Sequence, residues 1–460
     1  MQLSILAAVL AALAAAETSH AGPVSGLGWR LALAAAVSLI APLTALVGTQ
    51  RLVSGLVRSI PDEHRDARLA RLQARVVGLW LAAVLVVLFV AGWPQIVRSN
   101  WSLAAWPLVD ELAILTPILA PLLVMWAVFY RLERAAQTLV FRARKLEPPP
   151  PRMLAYVWLH ARFHLGLVVL PALAVIGVQD ILTALRIDLS AGGAALWLGL
   201  PLVGGLLLLM PWAVRRIWRT TPLPAGELRG RLTELCRERS CPVRELLVWQ
   251  TDGYAANAAV VGLSRWLRYV LLTDGLLAKL TADEVAAVVR HELGHLRRRH
   301  LPLRLALLAL PIVWWAAIKT AWPGIETVLS ERVAAAGLSS SLLANAAAPL
   351  AMLVYAVVVV GWYSRRLEHD ADLEACLDQH QQLDSQATAD FVRALTRLLG
   401  RGPESRFGQW LHPMLTQRLR FLQQAATEPQ FVARFRSRLR AIAGAIAVAY
   451  AAAAAVAALG

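Results

Sequence analysis

His291, Glu292 and His295 stand in the pentapeptide HELGH, and their spacing can do metal chemistry. On a helix, residues i and i+4 share a face, so the two imidazoles can hold one divalent cation while Glu292 lies beside them to take a proton from water at the metal. The bland alternative is a charged helix face that carries two histidines by accident. A hydrolytic zinc centre keeps one position open and needs a third protein ligand. The later stretch SRRLEHDADLEA, from Ser364, supplies candidates. Glu368 and Asp372 are four apart, so the first can bind metal while the second holds a ligand histidine in orientation. His369 and Asp370 are rival ligands, but on a helix they point about 100° and 200° away from Glu368, so only one of the three can face the metal comfortably.

These residues need elements to carry them. Thr281 is placed to cap a helix, with Glu284 three residues on closing a capping box, and the Ala, Val and Leu that follow predict a helix through HELGH to His300. Ahead of it, Leu228 to Arg239 reads as a helix. Glu245 to Trp249, Asn257 to Gly262 and Arg268 to Leu272 read as short strands rich in Val and Leu, separated by Gly, Asp and Ser.

The rest of the chain is far more apolar. Of 460 residues, 58% are hydrophobic and 17% charged, with mean hydropathy +0.55, and the apolar residues come in blocks of about 20, the length of membrane-spanning helices. Spans are expected at 31–49, 76–97, 109–130, 164–185, 192–213, 301–321 and 342–363, with a weaker Ala-rich candidate at 441–459. The stretch from Met1 to Ala16 either spans or is a cleaved leader. The net charge of +16 raises the question of nucleic acid. However, the Arg residues cluster in alternate loops beside the spans and lack the interleaved aromatics of a nucleic-acid platform, so no nucleic-acid partner is expected. Six Arg fall between Arg51 and Arg75, seven Lys and Arg between Arg131 and Phe163, and twelve Arg between Ser364 and Arg440. By the positive-inside rule those stretches, and with them 214–300, face the cytoplasm. Pro148 to Pro151 form a stiff spacer. Cys236, Cys241 and Cys376 lack zinc-knuckle spacing and read as reduced cytoplasmic thiols.

The spans bring the two motifs together. After His295 the chain enters one span near Leu301 and returns through another ending near Tyr363, so Ser364 emerges on the side the chain left. At the rise of a helix, His295 lies roughly 9 Å before the first span and Glu368 roughly 8 Å after the second.

HELGH, followed two spans later by EHDAD and preceded by NAAVVGL and VLLTDGLL, resembles the integral-membrane gluzincin metallopeptidases of family 48, which include HtpX and the type I CAAX prenyl protease. The likeness is best from Val248 to His300, resumes at Tyr363 to Ala375 and returns weakly at HPMLTQRL from His412. It implies that His291, His295 and Glu368 bind one zinc ion, that Glu292 is the general base, that Asp372 supports a ligand, and that the catalytic face is cytoplasmic. This chain departs from the family in His369, where an aromatic usually follows the Glu, and in NAA where NAF is common. Asn257 to Gly262, with Asn257, Ala258 and Gly262 as its marked positions, is either an edge strand to which an extended substrate adds or an interior strand. His412 either steadies the tetrahedral oxyanion, as the family's His-Pro implies, or is a surface histidine beside a turn.

The expected protein is mainly α, a polytopic helical membrane protein with a small α+β zinc-peptidase subdomain on the cytoplasmic side. Its parts are a multi-span region (1–213), the α+β part with HELGH (214–300), a transmembrane hairpin (301–363), a cytoplasmic helical part with the third ligand (364–440) and a final span (441–460). The expected function is a zinc endopeptidase in a bacterial-type inner membrane, acting on a membrane-associated polypeptide and in contact with the bilayer. The sequence carries no signal for oligomeric state. The alternative is a non-catalytic membrane scaffold or transporter that retains the motif. Asp110, Glu111 and Asp180, near span ends, suit transport only weakly, because such groups more often meet headgroups and water. His160 and His164, also four apart, lack a carboxylate between them and have Arg162 to repel a cation, so they read as an interfacial turn rather than a metal site. An intramembrane zinc site is excluded by Arg297, Arg298 and Arg299, which cannot sit at bilayer depth.

Overall fold

Long apolar runs fold as helices in lipid because only a helix satisfies its own backbone N–H and C=O groups there. A computed structural model of the chain describes residues 2–17, 22–57, 65–103, 106, 108–143, 152–166, 168–184, 200–253, 255–262, 264–335, 351–352, 354–378, 382–399, 412–428 and 430–459. The chain divides into two compact units, Met1–Trp218 and Arg219–Gly460. Among the described residues five helical stretches are long and apolar enough to cross a membrane: Leu27–Gly55, Arg68–Val90, Val109–Ala135, His300–Ala321 and Phe431–Ala457. The protein is therefore a mainly α, polytopic integral membrane protein with a small α+β region.

In the first unit, α1 (Gln2–Glu17), α2 (Leu27–Val57), α3 (Arg65–Leu85) and α4 (Val109–Ala143) share a core. Ile5, Ala8, Val9 and Ala12 of α1 are buried with Trp80, Ile118, Leu122 and Met125, and Trp80 Nε1 donates to the Ile118 carbonyl at 2.9 Å. The expected span 76–97 is placed differently. After α3 the chain passes through a π turn at Val86–Val90 and breaks at Gly92, whose φ of 68° is left-handed, followed by Trp93–Pro94. Hydropathy does not register such a break. It brings Arg98 to Asp110 (2.8 Å), Glu111 (3.1 Å) and the Ala16 carbonyl (2.8 Å). Asp110 and Glu111 are thus buried partners of one guanidinium, a reading that needs no transported ion. Beyond α4 lie α5 (Met153–His160), α6 (Val169–Ala184) and α7 (Leu200–Ile217). His160 packs against Tyr156 with ring centroids 4.1 Å apart and tilted, and both His160 and His164 pack against Trp126, at 5.8 and 5.7 Å. Pro148–Pro151, the first part of the expected span 192–213, the first part of 342–363 and the Asp180 side chain lie outside the described residues.

The second unit is built on a four-stranded sheet of β1 (Thr220–Pro222), β2 (Glu245–Trp249), β3 (Ala258–Val261) and β4 (Tyr269–Thr273) in the order β1-β2-β4-β3. The central pair β2 and β4 is parallel, while β1 and β3 run antiparallel to their neighbours. The β4 strand is buried along its whole length, as the unbroken Tyr-Val-Leu-Leu run requires of an interior strand. Helix α8 (Glu227–Glu238) covers the sheet through Leu232 and Leu235. Then come α9 (Asp274–Lys279), α10 (Ala282–Arg297), α11 (His300–Ala321), α12 (Ile325–Ala335), α13 (Gly361–Cys376), α14 (Ser385–Leu399), α15 (Leu415–Thr427) and α16 (Phe431–Ala457). Thr281 and Glu284 form the expected capping box of α10. The helix ends at Arg297, however, and not at His300: Arg299 adopts a left-handed φ of 55° and a new helix starts at His300. The weak Ala-rich span is the second half of one continuous helix, α16. Tyr355 and Tyr450 donate their hydroxyls to the carbonyls of Leu307 (2.7 Å) and Ala306 (2.8 Å), tying α11 to the segment before α13 and to α16. All three cysteines are buried and free.

Candidate metal centre

Helix α10 presents His291 and His295 to α13, which presents Glu368. The two helices approach closely because residue 294 is glycine. A Cβ there would lie 2.8 Å from Glu374 Cβ and 3.3 Å from Ala371 Cα, inside contact distance. The glycine of HELGH is therefore a packing requirement that lets the Glu368 carboxylate reach the imidazoles.

His291 Nε2 lies 3.3 Å from His295 Nε2, and Glu368 lies 3.6 Å from the first ring (Oε2) and 3.4 Å from the second (Oε1). One donor atom from each residue falls within 4.8 Å of the others. A tetrahedral zinc with bonds near ~2.1 Å puts its ligand atoms about 3.4 Å apart, so the observed spacings bracket the edges of such a site. The donor set, two neutral-capable imidazoles and one carboxylate, also suits zinc.

Burial and neighbouring charges pull the ionisation of these three groups in different directions. Burial works against a charged His291, yet Asp372, with Oδ1 3.0 Å from its Nδ1, and Glu368 raise its pKa to about 9. Glu368 is buried, which would raise its pKa, but His291 and His412 bring it well below the ordinary value. Burial lowers His295 well below 6.5 despite Glu368. Metal ligation favours neutral imidazole and ionised carboxylate. Asp372 is fully buried and is gripped by both arms of Arg418, Nε at 2.9 Å and a second contact through Nη2. Burial opposes its ionisation, and Arg418 with His291 more than offsets that.

The rival ligands face elsewhere. His369 stacks on Phe421 with centroids 4.3 Å apart. Asp370 accepts from Arg298 Nε (2.9 Å), His300 (3.2 Å) and Arg436 Nε (3.2 Å), and these partners overcome burial to hold its pKa at about 2. Glu292 is half-buried and opens, with His295 and Glu368, into a cavity of about 1150 Å³ whose wall includes Asn257, Ala258, Gly262 and His412. Burial and the nearby Glu368 raise the Glu292 pKa, the direction a general base working near neutrality needs. His412, largely exposed, puts Nδ1 2.8 Å from Glu368 Oε2.

Three residues of the centre escaped the sequence reading. Arg418 was hidden in a helix whose docking is tertiary. Arg304 donates Nη2 to Glu368 Oε1 at 2.7 Å; a lone arginine just inside an apolar span is costly and is itself a signal of function. The third, His300, owes its place to the break at Arg299.

Fold and donor geometry together define a polytopic membrane protein whose HExxH histidines meet Glu368 at a spacing that could hold a metal ion. Residues 222–426 match the family model described as Peptidase family M48, so this part of the chain is similar to that family's domain. The chain is 31% identical over 217 residues to a protease HtpX homolog of Aeropyrum pernix, covering 46% of this chain and 65% of the relative. It is 30% identical over 168 residues to protease HtpX of Pseudomonas putida, covering 36% and 53% respectively. A CAAX prenyl protease 1 homolog of Arabidopsis thaliana is 34% identical over 82 residues, 17% of this chain and 19% of that one. The chain thus spans less than two thirds of the length of these relatives. The crystal structure of S. mikatae Ste24p aligns over 86% of this chain and 99% of its own, at 17% identity and a TM-score of 0.46.

Proposed function

We propose that this chain is a membrane-bound zinc metalloendopeptidase that cleaves membrane-associated polypeptides at the cytoplasmic face of a bacterial-type inner membrane. The single observation that carries the reading is the convergence of His291, His295 and Glu368 at zinc-ligand spacing beside Glu292. His291, His295 and Glu368 would hold one zinc ion per chain. When bound, zinc supplies Lewis acidity, polarising a peptide carbonyl and acidifying a water molecule. The protein's own groups do the rest. Glu292 removes the proton from the attacking water and passes it to the leaving amine. Asp372, fixed by Arg418, orients His291. His412 lies at the rim, where it holds Glu368 and can donate to the tetrahedral oxyanion.

The substrate reading rests on sheet order. The β3 strand is terminal, pairing only with β4 among the described residues, and Asn257, Ala258 and Gly262 line the same cavity as Glu292. An extended peptide can add to that edge main chain to main chain, with its scissile bond facing the metal. Gly262 ends the strand with φ 111°, and a Cβ there would meet the Leu267 carbonyl oxygen at 2.2 Å, so the turn that frees the edge depends on glycine. The cytoplasmic placement rests on the clustering of Arg in alternate loops.

The test is zinc content and peptide-bond cleavage, on casein and on a membrane protein, in wild type, Glu292→Gln and Glu368→Ala. Glu292→Gln is expected to retain zinc and lose about 10²-fold or more in turnover. Glu368→Ala is expected to lose both. Undiminished cleavage by Glu292→Gln would remove it as the base, and zinc without cleavage in wild type would favour a scaffold.

A further inference from the structure

His300 and Asp370 belong to no ligand set, yet they continue the line of contacts out of His295. His295 Nδ1 lies 2.8 Å from His300 Nδ1, and His300 Nε2 lies 3.2 Å from Asp370 Oδ2. Both His300 and Asp370 are 1% exposed, so water does not compete for these bonds. Asp370 is fixed in turn by Arg298 Nε at 2.9 Å and Arg436 Nε at 3.2 Å.

Counting protons leaves one arrangement. A histidine that binds metal through Nε2 uses that lone pair, so its proton sits on Nδ1. That N–H must donate to His300 Nδ1, which therefore carries no proton. The His300 proton then sits on Nε2 and donates to Asp370, a carboxylate that can only accept. Every donor in the line finds an acceptor, and two arginines balance the charge at its end.

The backbone is bent to make this line. In an unbroken helix the residue five after His295 would point about 140° away from it. The interruption at Arg298 and Arg299, with a left-handed φ of 55° at a residue that carries a side chain, returns the His300 ring to His295. Such a conformation is sparsely populated and persists where its surroundings demand it.

We propose that His300, backed by Asp370, is a positioning residue that fixes the tautomer and ring plane of His295 and thereby sets the affinity of the metal centre. Each imidazole then has a carboxylate behind it: Asp372 directly for His291, and Asp370 through a second ring for His295. The inference rests on the reading of the centre as a zinc site.

The test is the zinc dissociation constant of the full chain in detergent, by competition with a chromophoric chelator, together with the unfolding temperature of each metal-free protein. His300→Phe keeps a ring but offers no acceptor, and zinc binding is expected to weaken about 10- to 100-fold. His300→Asn restores an acceptor beside His295 and is expected to recover affinity to within about threefold of wild type. Since both variants lose the original ring's link to Asp370, a role in packing alone would weaken them together. Should His300→Phe fail to fold, Asp370→Asn removes the charge that fixes His300 and is expected to weaken zinc about threefold or more. A dissociation constant for His300→Phe near that of wild type, equal losses in the Phe and Asn variants, or an unchanged Asp370→Asn overturns the proposal. Wild type that takes up no zinc instead overturns the metal-site reading beneath it.

Discussion

Arg418 shows how much of this centre depends on residues that never touch a reacting atom. Its guanidinium closes both oxygens of Asp372, which has no exposure at all. Removing it leaves a buried charge without its main partner. Arg418→Leu is expected to destabilise the folded chain by about 3–5 kcal/mol, read as a lowered unfolding midpoint in detergent. Lysine cannot reproduce the two-pronged contact, so Arg418→Lys is expected to recover only part of that loss. The candidate ligands were legible in part: HELGH suggests two by helical spacing, and the angular separation of residues 368, 369 and 370 leaves room for one more. The structure brings Glu368 to the two imidazoles, while His369 finds Phe421 and Asp370 finds three cationic or donor partners. Which neighbour wins each side chain is a tertiary matter that spacing along one helix does not encode.

At the scale of elements, the strands were read from Val and Leu blocks between turn residues, and Glu245–Trp249 stands where the pattern places it. The β1 strand was not seen, since Thr220–Pro222 is too short to show a period and exists through its pairing with β2. The helix running to His300 was overextended because the left-handed residue at 299 is an arginine, which carries no turn signal. One element is held in place by charge. Asp274 Oδ1 accepts from the Thr251 amide (3.1 Å), the Thr251 hydroxyl and the Gly275 amide (2.8 Å), and its Oδ2 accepts from the Gly253 amide (3.1 Å). This pins the loop that leads into β3. Burial would raise the Asp274 pKa, but these bonds lower it. A carboxyl depressed on folding stabilises the protein above its unfolded value, near ~3.9, and loses that contribution as pH falls through the folded value. Asp274→Asn is therefore expected to cost about 1 kcal/mol at pH 7 and progressively less below about pH 4, measured by denaturant unfolding across that range.

At the scale of the molecule, hydropathy was enough to establish a multi-pass membrane protein, but it placed the spans imperfectly. The run 76–97 is cut by Gly92 and Pro94, and α6, at 16 residues, falls short of a full crossing within the described chain. The weak C-terminal stretch gained a full crossing because α16 begins ten residues earlier, at Phe431, than the Ala-rich run alone suggests. The proposed cytoplasmic placement of the second unit's polar part rests on the Arg-rich loops. A cytoplasm-active reporter inserted at Gly226, before α8, is expected to be active, and a periplasm-active one silent. The reverse pattern would place the centre on the opposite face and end the cytoplasmic reading.

The most direct test of the account is a zinc-edge anomalous difference map of crystals of the intact chain grown with zinc. The account predicts one dominant peak bounded by His291 Nε2, His295 Nε2 and the Glu368 carboxylate, absent in Glu368→Ala. A map with no peak there, or with zinc held by other residues, would contradict it.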